Sequence, residues 1–386
     1  MKPLDQIAFL DFYKRNNISP VSQDISDLEK HFSRRDALYR QCGIPPIFFH
    51  GRNVLEVGPG QGHNAIFTNY LQPNKYVLVD GNPASIQGTR NTLNMFFPDL
   101  SNIQIIESDF YNFRSDLTFD VVLCEATISL QNDPIGFLKK LSYFVKPSGI
   151  LLITCHDHIA ILGDILFKII GRMIIGHEIV DDHEQVRKLK PFFEPILCQL
   201  KGMSRPIDDW IYDNIVHPYI GNLLSIEDAV KTLDDEFEAY YCSPQFTNDW
   251  RWYKDIHGSQ RKYNSRMIDS YRSNIHNFLD FRNTFSPINP DDALFLKDQC
   301  QSIFKIAQDI DKSGINEEIV RNLNTILYEL VIRVRKFSDT TAHSIQLFII
   351  AINKFLAGKH LSFDHTPLDC WFGRGLQYIS FIKIPE

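Results

Sequence analysis

The sequence predicts an α/β fold in which a mostly parallel sheet is covered by helices on both faces. Between Asn53 and Asp157, five short apolar runs alternate with longer amphipathic segments. Near-continuous apolar strands that alternate with helices are typical of parallel sheets buried on both sides. The chain has 386 residues, 44% of them hydrophobic, and is therefore long enough to bury such a core.

The elements of this region follow one another in a regular order. The predicted strands are NVLEV (53–57), KYVLVD (75–80), IQIIES (103–108), FDVVLCE (119–125) and GILLITC (149–155). Helices are predicted between them at about 62–71, 83–97 and 134–145. The first fifty residues read as helical, in PLDQIAFLDFYKRNN and in a second helix with Asp24 as its cap and Gly43 as its end.

After Cys155 the strict alternation stops and helical patterns dominate. A helical stretch runs to about residue 200, and a long helix-rich segment covers about 251–358. Between them, 225–236 reads as a helix capped by Ser225, with Asp228 at the third position of a capping-box variant. FEAYYCSP (237–244) and the alternating GLQYISFIKI (375–384) read as strands, and the terminal strand is expected to return to the main sheet.

Composition restricts the classes of partner and the compartment. The formal net charge is −7 and no basic face is evident, so nucleic acid is not an expected partner. The seven scattered cysteines contain no CxxC and indicate reduced, buried thiols in the cytoplasm. No signal peptide is expected. In the apolar stretch 158–176, a charged stripe of Asp164, Lys168 and Arg172 favours a packed helix over a membrane span, while surface contact with lipid stays open.

The stretch VLEVGPGQG (54–62) predicts a cofactor-binding turn. Gly58, Gly60 and Gly62 follow a strand and precede a helix, where glycine lets the backbone adopt positive φ and lets a ligand approach. The nicotinamide pattern G-x-G-x-x-G would place a glycine at His63. Glu56 would be unfavourable beside a pyrophosphate and favourable beside a sulfonium or an ammonium. The loop therefore fits S-adenosylmethionine (SAM) better than NAD.

E-x-G-x-G-x-G after a first strand resembles motif I of the class I SAM-dependent methyltransferases. LVDGNP resembles the family's second-strand end, where an acid accepts hydrogen bonds from the ribose, and ESDF resembles the segment near the adenine amine. CEATIS and KPSGILLITC resemble the family's fourth-strand end and fifth strand. The resemblance implies these cofactor-binding residues: Glu56, Gly58, Gly60, Gly62, Asp80, Gly81, Asn82, Asp109 and Phe110.

The resemblance also implies a Rossmann-like seven-stranded sheet of order 3-2-1-4-5-7-6, in which the last two strands form an antiparallel hairpin. We therefore predict six segments along the chain. They are an N-terminal helical cap (1–50), a SAM-binding core (51–157), a helical insertion or lid (158–224), a return to the core (225–246), a helical insertion for substrate or oligomerisation (247–372) and the terminal strand (373–386).

Catalytic residues are expected at the carboxyl ends of strands four and five, because methyl transfer needs in-line positioning and, for some acceptors, a base. The candidates are Glu125, His156 and Asp157, with His158 beside them. A buried acid satisfied by backbone donors and ordinary polar histidines are the alternatives that stay open. No metal site is expected, since the His-x-His pair has no third ligand at suitable spacing.

Two segments rich in aromatic and polar residues are candidates for the acceptor site. The substrate-binding candidates are Asp209, Trp210, Tyr212, Asn214, His217, Trp250, Arg251 and Trp252. A ligand pocket and a helix–helix contact explain such density equally well. The helix before strand one carries Arg34, Arg35, Tyr39 and Arg40, which are candidates for the methionyl carboxylate, with a solvated basic face as the alternative.

The sequence thus predicts a SAM-dependent methyltransferase with a small-molecule acceptor, for example a sugar-containing or lipid-linked intermediate. The alternatives are a protein or nucleic-acid methyltransferase, a SAM-binding protein without methyl transfer, and a nicotinamide oxidoreductase. The CEAT segment differs from the N/D-P-P-Y type of DNA amino-methyltransferases. The apolar helices at 158–176 and 344–357 are candidates for pairing subunits in a homo-oligomer.

Overall fold

In the computed structural model of the chain, the described residues are 23–176, 181–200, 205–217, 222–366 and 368–385, with Tyr13 and Met203. They contain a sheet of seven strands. These are β1 Asn53–Val57, β2 Lys75–Asp80, β3 Ile103–Glu107, β4 Phe119–Cys124, β5 Val145–His156, β6 Phe237–Ser243 and β7 Leu376–Lys383. Their order is β3-β2-β1-β4-β5-β7-β6. The predicted fold class and strand order are confirmed.

All strand pairs are parallel except those of β7, which is antiparallel to both β5 and β6. The most central strands are the most apolar, because both of their faces are covered: Val54, Leu55, Val121, Val122 and Leu123 are fully buried. Edge strand β3 is only half-buried. Strand β5 begins four residues earlier than predicted and includes the Lys146–Gly149 turn, where Ser148 has a φ of 61°.

Twelve α-helices are found in the part of the chain that the structure describes. They are α1 Leu28–Gln41, α2 His63–Tyr70, α3 Pro83–Phe96, α4 Pro134–Tyr143, α5 Leu162–Ile175, α6 Asp182–Leu197, α7 Ile207–Ile211, α8 Ile226–Leu233, α9 Tyr263–Asn274, α10 Pro290–Ser313, α11 Glu317–Val334 and α12 Asp339–Leu356. The helix predicted in PLDQIAFLDFYKRNN lies outside the described residues.

Helix caps show how local sequence sets two of these boundaries. Ser225 caps α8 as predicted, since its hydroxyl accepts from the Asp228 N–H at 3.1 Å. The prediction that Asp24 caps α1 is wrong. Asp27 is the cap and accepts from the Lys30 N–H at 3.0 Å, whereas Asp24 bonds the Ser26 N–H two residues on, in a turn that precedes the helix.

The chain divides into two compact units. The first holds the sheet and comprises residues Met1–His156, Ile220–Tyr271 and Leu376–Glu386; the second comprises Asp157–Tyr219 and Arg272–Gly375. Helices α1 to α4, α8 and most of α9 belong to the first unit. The second unit is helical, and its longest helices are α10, α11 and α12.

The charged stripe of α5 is buried at Lys168 and partly buried at Asp164 and Arg172, within the second unit. Arg172 Nε lies 2.9 Å from an Asp311 carboxylate oxygen in α10, and Lys168 Nζ lies 3.7 Å from the other oxygen. Burial raises the pKa of Asp164 to about 7. None of the helices in the described ranges combines the length and apolar character that crossing a bilayer requires.

Candidate cofactor and active site

The glycine loop connects β1 to α2 at the carboxyl end of β1. Gly58, Gly60 and Gly62 have φ values of 78°, 58° and 75°, a region that side chains disfavour. The Gly58 N–H donates to the Val79 carbonyl at 2.9 Å. A Cβ at Gly58 would come within 2.2 Å of Thr127 Oγ1, so this glycine lets the loop pack against the turn after β4.

The last glycine of the loop allows two helices to approach closely. A Cβ at Gly62 would lie 2.9 Å from the Cα of Thr89 in α3. The Thr89 hydroxyl also donates to the Gly60 carbonyl at 2.9 Å and so ties the loop to α3. The helix-packing function that the nicotinamide pattern gives to its last glycine is thus performed by Gly62. His63 instead begins α2, and its Nδ1 accepts from the Gln23 N–H at 2.9 Å.

Asp80, at the end of β2, joins the glycine loop to the next loop. One carboxylate oxygen accepts from the Gly60 N–H at 3.3 Å, and the other accepts from the Asn82 N–H at 2.8 Å. The Asn82 side chain caps α3 by accepting from the Ala84 N–H at 3.1 Å. Gly81 lies between them and is half-buried. The predicted ribose carboxylate therefore stands beside the loop, as the sequence motif requires.

Asp109 and Phe110 follow β3 and have different surroundings. Asp109 closes a turn, with its carboxylate accepting from the Tyr111 N–H at 3.0 Å and from Asn112 Nδ2 at 3.3 Å. Phe110 is buried in an aromatic cluster, with its ring 4.9 Å from that of Phe137 and with Lys140 Nζ 5.1 Å from its centroid. The Phe110 ring is therefore part of the core.

Glu125, just beyond the end of β4, forms a bidentate ion pair with Arg35 of α1. The two nitrogen–oxygen distances are 2.8 and 2.6 Å, and the side chains are only 7% and 10% exposed for Arg35 and Glu125. The Tyr378 hydroxyl in β7 also donates to Glu125 at 3.3 Å. Arg35 bonds the Tyr39 hydroxyl at 3.1 Å, whereas Arg40 pairs with Asp36 at the surface.

Of the four candidates in α1, the structure thus brings Arg35 and Tyr39 to the carboxyl end of the sheet. Arg34 is exposed. The Arg35 Nε is buried and has no hydrogen-bond partner among the described residues. The ion pair joins residues 90 positions apart, which no local sequence pattern could have revealed.

Glu56 lies in β1 two residues before the glycine loop and is almost fully buried. The Tyr76 hydroxyl of β2 donates to its carboxylate. Burial, followed by the charge of Glu125, raises the pKa of Glu56 from 4.5 to about 7. Two carboxyl groups and one guanidinium therefore share the space behind the loop, so the group is short of positive charge when both acids are ionised.

His156 ends β5 and pairs with a residue that the sequence analysis missed. Its Nδ1 lies 2.8 Å from the Ser129 hydroxyl, and burial lowers its pKa to about 4. Ser129 follows β4 in the CEATIS segment, and its place in that segment is the sequence feature that would have pointed to it. The same turn contains Ala126, with a φ of 57°, whose N–H donates to Thr154 Oγ1 at 2.7 Å. The ends of β4 and β5 are thus joined.

Asp157 and His158 belong to the second unit. The buried Asp157 carboxylate accepts from the Ile159 N–H at 2.8 Å and holds the turn before α5. The His158 ring lies edge-on to Phe304 at 5.1 Å.

The candidates between 209 and 217 are packed within the second unit. The Trp210 ring lies 6.1 Å from Phe193 and 5.9 Å from Phe372, and the Tyr212 hydroxyl bonds the His183 ring. A π-helical turn, Tyr212–Val216, follows α7. Asn214 Nδ2 donates to the Trp210 carbonyl at 2.9 Å, the buried His217 supplies its carbonyl to Lys168, and Asp209 is half-buried. These contacts are those of packed helices.

A shallow cavity of about 460 Å³ lies beside this segment, between α6 and α7. Its lining includes His183, Lys190, Asp208 and Tyr212. Lys190 and Asp208 form an ion pair across it at 2.8 Å.

Trp250, Arg251 and Trp252 lie in the first unit, away from the glycine loop. Arg251 Nη2 bonds the Arg261 carbonyl at 3.2 Å, and Arg261 pairs with Glu238 at the amino end of β6. Because β5 and β6 are both antiparallel to β7, the amino end of β6 is at the opposite edge of the sheet from the carboxyl ends of β1, β4 and β5. The structure does not bring these three residues to the loop.

Two observations concern metals and thiols. Within the ranges that the structure describes, His, Cys, Asp and Glu do not form a group of three that could hold a metal ion. All seven cysteines are free thiols, and Cys42, Cys124, Cys155, Cys242 and Cys300 are buried.

Comparison with known proteins places these features in a family. Residues 49–195 match a family model described as a methyltransferase domain. The chain is 28% identical to pavine N-methyltransferase of Thalictrum flavum subsp. glaucum, over 56% of the chain and 60% of that relative. It is 27% identical to a mitochondrial ubiquinone biosynthesis O-methyltransferase of Dictyostelium discoideum, over 42% of the chain and 56% of that relative.

The chain therefore spans less than two thirds of the length of both relatives. Among solved structures, N-methyltransferase NodS of Bradyrhizobium japonicum WM9 is similar with 15% identity and a TM-score of 0.31, over 38% of this chain and 74% of that one. The family-model match, the glycine loop and the strand order together support a class I SAM-dependent methyltransferase domain in the matched part of the chain.

Proposed function

We propose that the chain binds SAM at the glycine loop and transfers its methyl group to a small-molecule acceptor. The observation that carries this proposal is the loop itself: three glycines with positive φ follow β1, and the Asp80 carboxylate accepts a hydrogen bond from the Gly60 N–H. A carboxylate at this position suits the two hydroxyl donors of a ribose. A glycine backbone beside it suits the close approach of a nucleoside.

The charges behind the loop fit a cationic ligand. Glu56 and Glu125 share one buried cation, Arg35, and the pKa of Glu56 is raised first by burial and then by the charge of Glu125. A positive ligand nearby would favour ionised Glu56, and the linkage is reciprocal. SAM supplies a methyl group already activated on a positively charged sulfur. The nicotinamide cofactors would instead place a pyrophosphate against the same carboxylates.

Individual roles follow from these contacts. We assign Asp80 to the ribose hydroxyls and Gly60 to the close approach of the nucleoside, while Gly58 and Gly62 let the loop pack against Thr127 and Thr89. Glu125 is a positioning residue, because both of its oxygens bond Arg35 and it is not available as a free base. Arg35 is then the donor for the methionyl carboxylate, through its buried and unpartnered Nε.

His156 and Ser129 are the groups we assign to the acceptor side. In the transfer, the bond from the methyl carbon to sulfur breaks as the bond to the acceptor heteroatom forms, and an acceptor proton must leave. His156 is neutral at neutral pH because burial lowers its pKa to about 4, so its ring is able to accept a hydrogen bond from the acceptor. A proton that His156 takes up from the acceptor is held weakly, because the pKa of the ring is low, and it passes on to solvent.

The acceptor is proposed only as a class. One relative is named for N-methylation and the other for O-methylation, and both act on small molecules by their names. An amine and a hydroxyl are therefore the first acceptors to test.

A thermal-shift titration with SAM, S-adenosylhomocysteine and NAD tests the cofactor. We expect the first two to raise the melting temperature and NAD to leave it unchanged, because a ligand that binds only the folded state stabilises it. Asp80→Ala should remove most of the shift. Asp99→Ala is a matched control, since Asp99 also accepts from the N–H two residues later, at Ser101, but is exposed on another loop.

A shift with NAD alone would overturn the cofactor assignment. Methyl transfer is tested separately with isotopically labelled SAM and panels of amines and phenols. His156→Ala should lower turnover by about tenfold or more while leaving the SAM-induced shift intact, as expected for a residue on the acceptor side. Unchanged turnover in that variant would remove His156 from the site.

A further inference from the structure

Three aromatic side chains project from the loop between β6 and α9. Trp250, Trp252 and Tyr253 are 89%, 60% and 71% exposed. The other two tryptophans of the chain, Trp210 and Trp371, are buried. Folded proteins seldom leave several large aromatic rings in water at adjacent positions, and such surfaces usually contact a partner. We call Trp250, Trp252 and Tyr253 the aromatic surface.

The loop that carries the aromatic surface is held firmly. Arg251, between the two tryptophans, bonds both carboxylate oxygens of Asp249 at 3.0 and 3.1 Å through its Nε. Its terminal nitrogens also bond the carbonyls of Gln260 and Arg261. Asp249 has a second partner in Arg266, at 3.1 Å. The inward side chains are thus fixed by ion pairs, and the aromatic rings point away from them into solvent.

The surroundings of the aromatic surface are more basic than the chain as a whole. Five basic residues and three acidic residues are found on the loop and its anchoring contacts, an excess of two positive charges in a chain whose net charge is −7. They are Arg251, Lys254, Arg261, Lys262 and Arg266 against Glu238, Asp249 and Asp255. Lys254 Nζ lies 4.9 Å from the centroid of the Trp252 ring. A negatively charged partner is therefore favoured locally.

We propose that the aromatic surface docks the first unit onto an anionic lipid membrane. Tryptophan and tyrosine combine a large apolar ring with a polar tip, which suits the boundary between headgroups and acyl chains. Lysine and arginine beside them are attracted to anionic headgroups. In a two-fold dimer the surface would meet its own copy, with like charges facing each other, so a second copy fits less well.

The position of the aromatic surface is compatible with an active glycine loop. It is anchored at the amino end of β6 through the Arg261–Glu238 ion pair, at the end of the sheet opposite the glycine loop. Docking there leaves the cofactor site of the first unit open. This proposal does not depend on methyl transfer, because it rests on exposure and charge alone.

Vesicle flotation tests the proposal with the whole chain. We expect binding to vesicles of phosphatidylcholine mixed with phosphatidylglycerol, weaker binding to phosphatidylcholine alone, and a decrease at high salt. Replacing Trp250, Trp252 and Tyr253 together by serine should lower the partition coefficient by at least about tenfold. Tyr143→Ser is the matched control, since Tyr143 is 73% exposed on α4 and should leave binding unchanged.

Quenching by brominated phosphatidylcholine gives a second measurement that needs no variant. Trp250 and Trp252 should be quenched in anionic vesicles, and the buried tryptophans should keep their emission. Failure of the chain to bind anionic vesicles, or equal binding by the triple variant, would overturn the proposal. Dimerisation that the triple variant abolishes, measured by analytical ultracentrifugation without lipid, would also overturn it by assigning the surface to a second copy.

Discussion

Two buried ion clusters, one in each unit, have opposite imbalances of charge. In the first unit, Arg35 is the cation beside Glu56 and Glu125 within the part of the chain that the structure describes. In the second unit, Lys168 and Arg172 both pair with the Asp311 carboxylate. Burial shifts the pKa of one member of each cluster towards neutrality: the pKa of Glu56 is raised to about 7 and that of Lys168 is lowered to about 7.

The two clusters differ in what offsets the imbalance. In the second unit, the Gln185 side chain accepts from Arg172 Nη1 at 3.3 Å. Backbone carbonyls accept other donors: Lys168 Nζ bonds the Ile215 carbonyl at 3.1 Å, and Arg172 Nη2 bonds the Val216 carbonyl at 3.0 Å. The π-helical turn supplies these acceptors. In the first unit, hydroxyl donors and the Asn64 amide bond the acids. Among the described residues, Arg35 is the cation given beside them, and the glycine loop is next to them. We interpret the cluster in the second unit, whose charges the surrounding fold offsets, as structural. We interpret the cluster in the first unit, whose excess negative charge lies beside the glycine loop, as part of a ligand site.

The largest expected effect is on stability in the second unit. Asp311→Asn should lower the free energy of unfolding by about 3 kcal/mol, because it leaves two buried cations without a carboxylate. Denaturant unfolding measures this loss. Glu317→Gln, in the exposed pair with Arg321, is the control and should change stability by less than about 0.5 kcal/mol.

The SAM-induced thermal shift of Asp311→Asn should remain, since the cluster is assigned a structural role. A variant that stays as stable as the parent, or that loses SAM binding while folded, would contradict the division between the two clusters.

A double-mutant cycle of Arg35→Met and Glu125→Gln measures the ion pair in the first unit. Each single change leaves a buried partner unsatisfied, whereas the double change removes both charges. We expect a coupling energy of about 1–3 kcal/mol in stability, measured by denaturant unfolding. Additive single effects would show that Glu125 does not depend on Arg35, and would return Glu125 to consideration as a base.

A pH-dependent change in the free energy of unfolding is expected for Glu56→Gln. The folded-state pKa of Glu56 is about 7 and its ordinary value is 4.5, so the unfolded chain loses this proton first as pH rises. The parent should therefore lose stability relative to the variant between those two values, with a constant difference of up to about 3 kcal/mol above them. Thermal unfolding across this pH range measures the difference; a variant less stable than the parent at about pH 8 would contradict it.

The elements that the sequence predicts well are those with a local signature. The strands coincide with apolar runs, β1 and β2 to the residue. Ser225 caps its helix because the hydroxyl and the Asp228 N–H that donates to it are three residues apart. The prediction for Asp24 was wrong because Asp27, one turn later, has the same carboxylate and caps the helix. The Arg35–Glu125 and Lys168–Asp311 pairs join residues far apart in the chain, and no periodicity encodes such contacts.

The sequence pattern also did not predict which aromatic side chains are exposed. Trp210 and Trp250 occur in equally polar and aromatic segments, yet the first is buried against phenylalanine rings and the second is almost fully exposed. Packing partners supplied by distant helices decide between these outcomes. Ser129 was missed for a related reason, because its partner His156 lies on another strand.

The central claim is that ionised acids behind the glycine loop attract a cationic adenosyl donor. Isothermal titration calorimetry with SAM and S-adenosylhomocysteine, at about pH 6 and about pH 8, tests it in the parent and in Glu56→Gln. We predict that the parent prefers SAM more strongly at the higher pH, where Glu56 is ionised, and that the variant loses this added preference, by up to about tenfold. A preference for SAM that is the same in both proteins at both pH values would contradict the account.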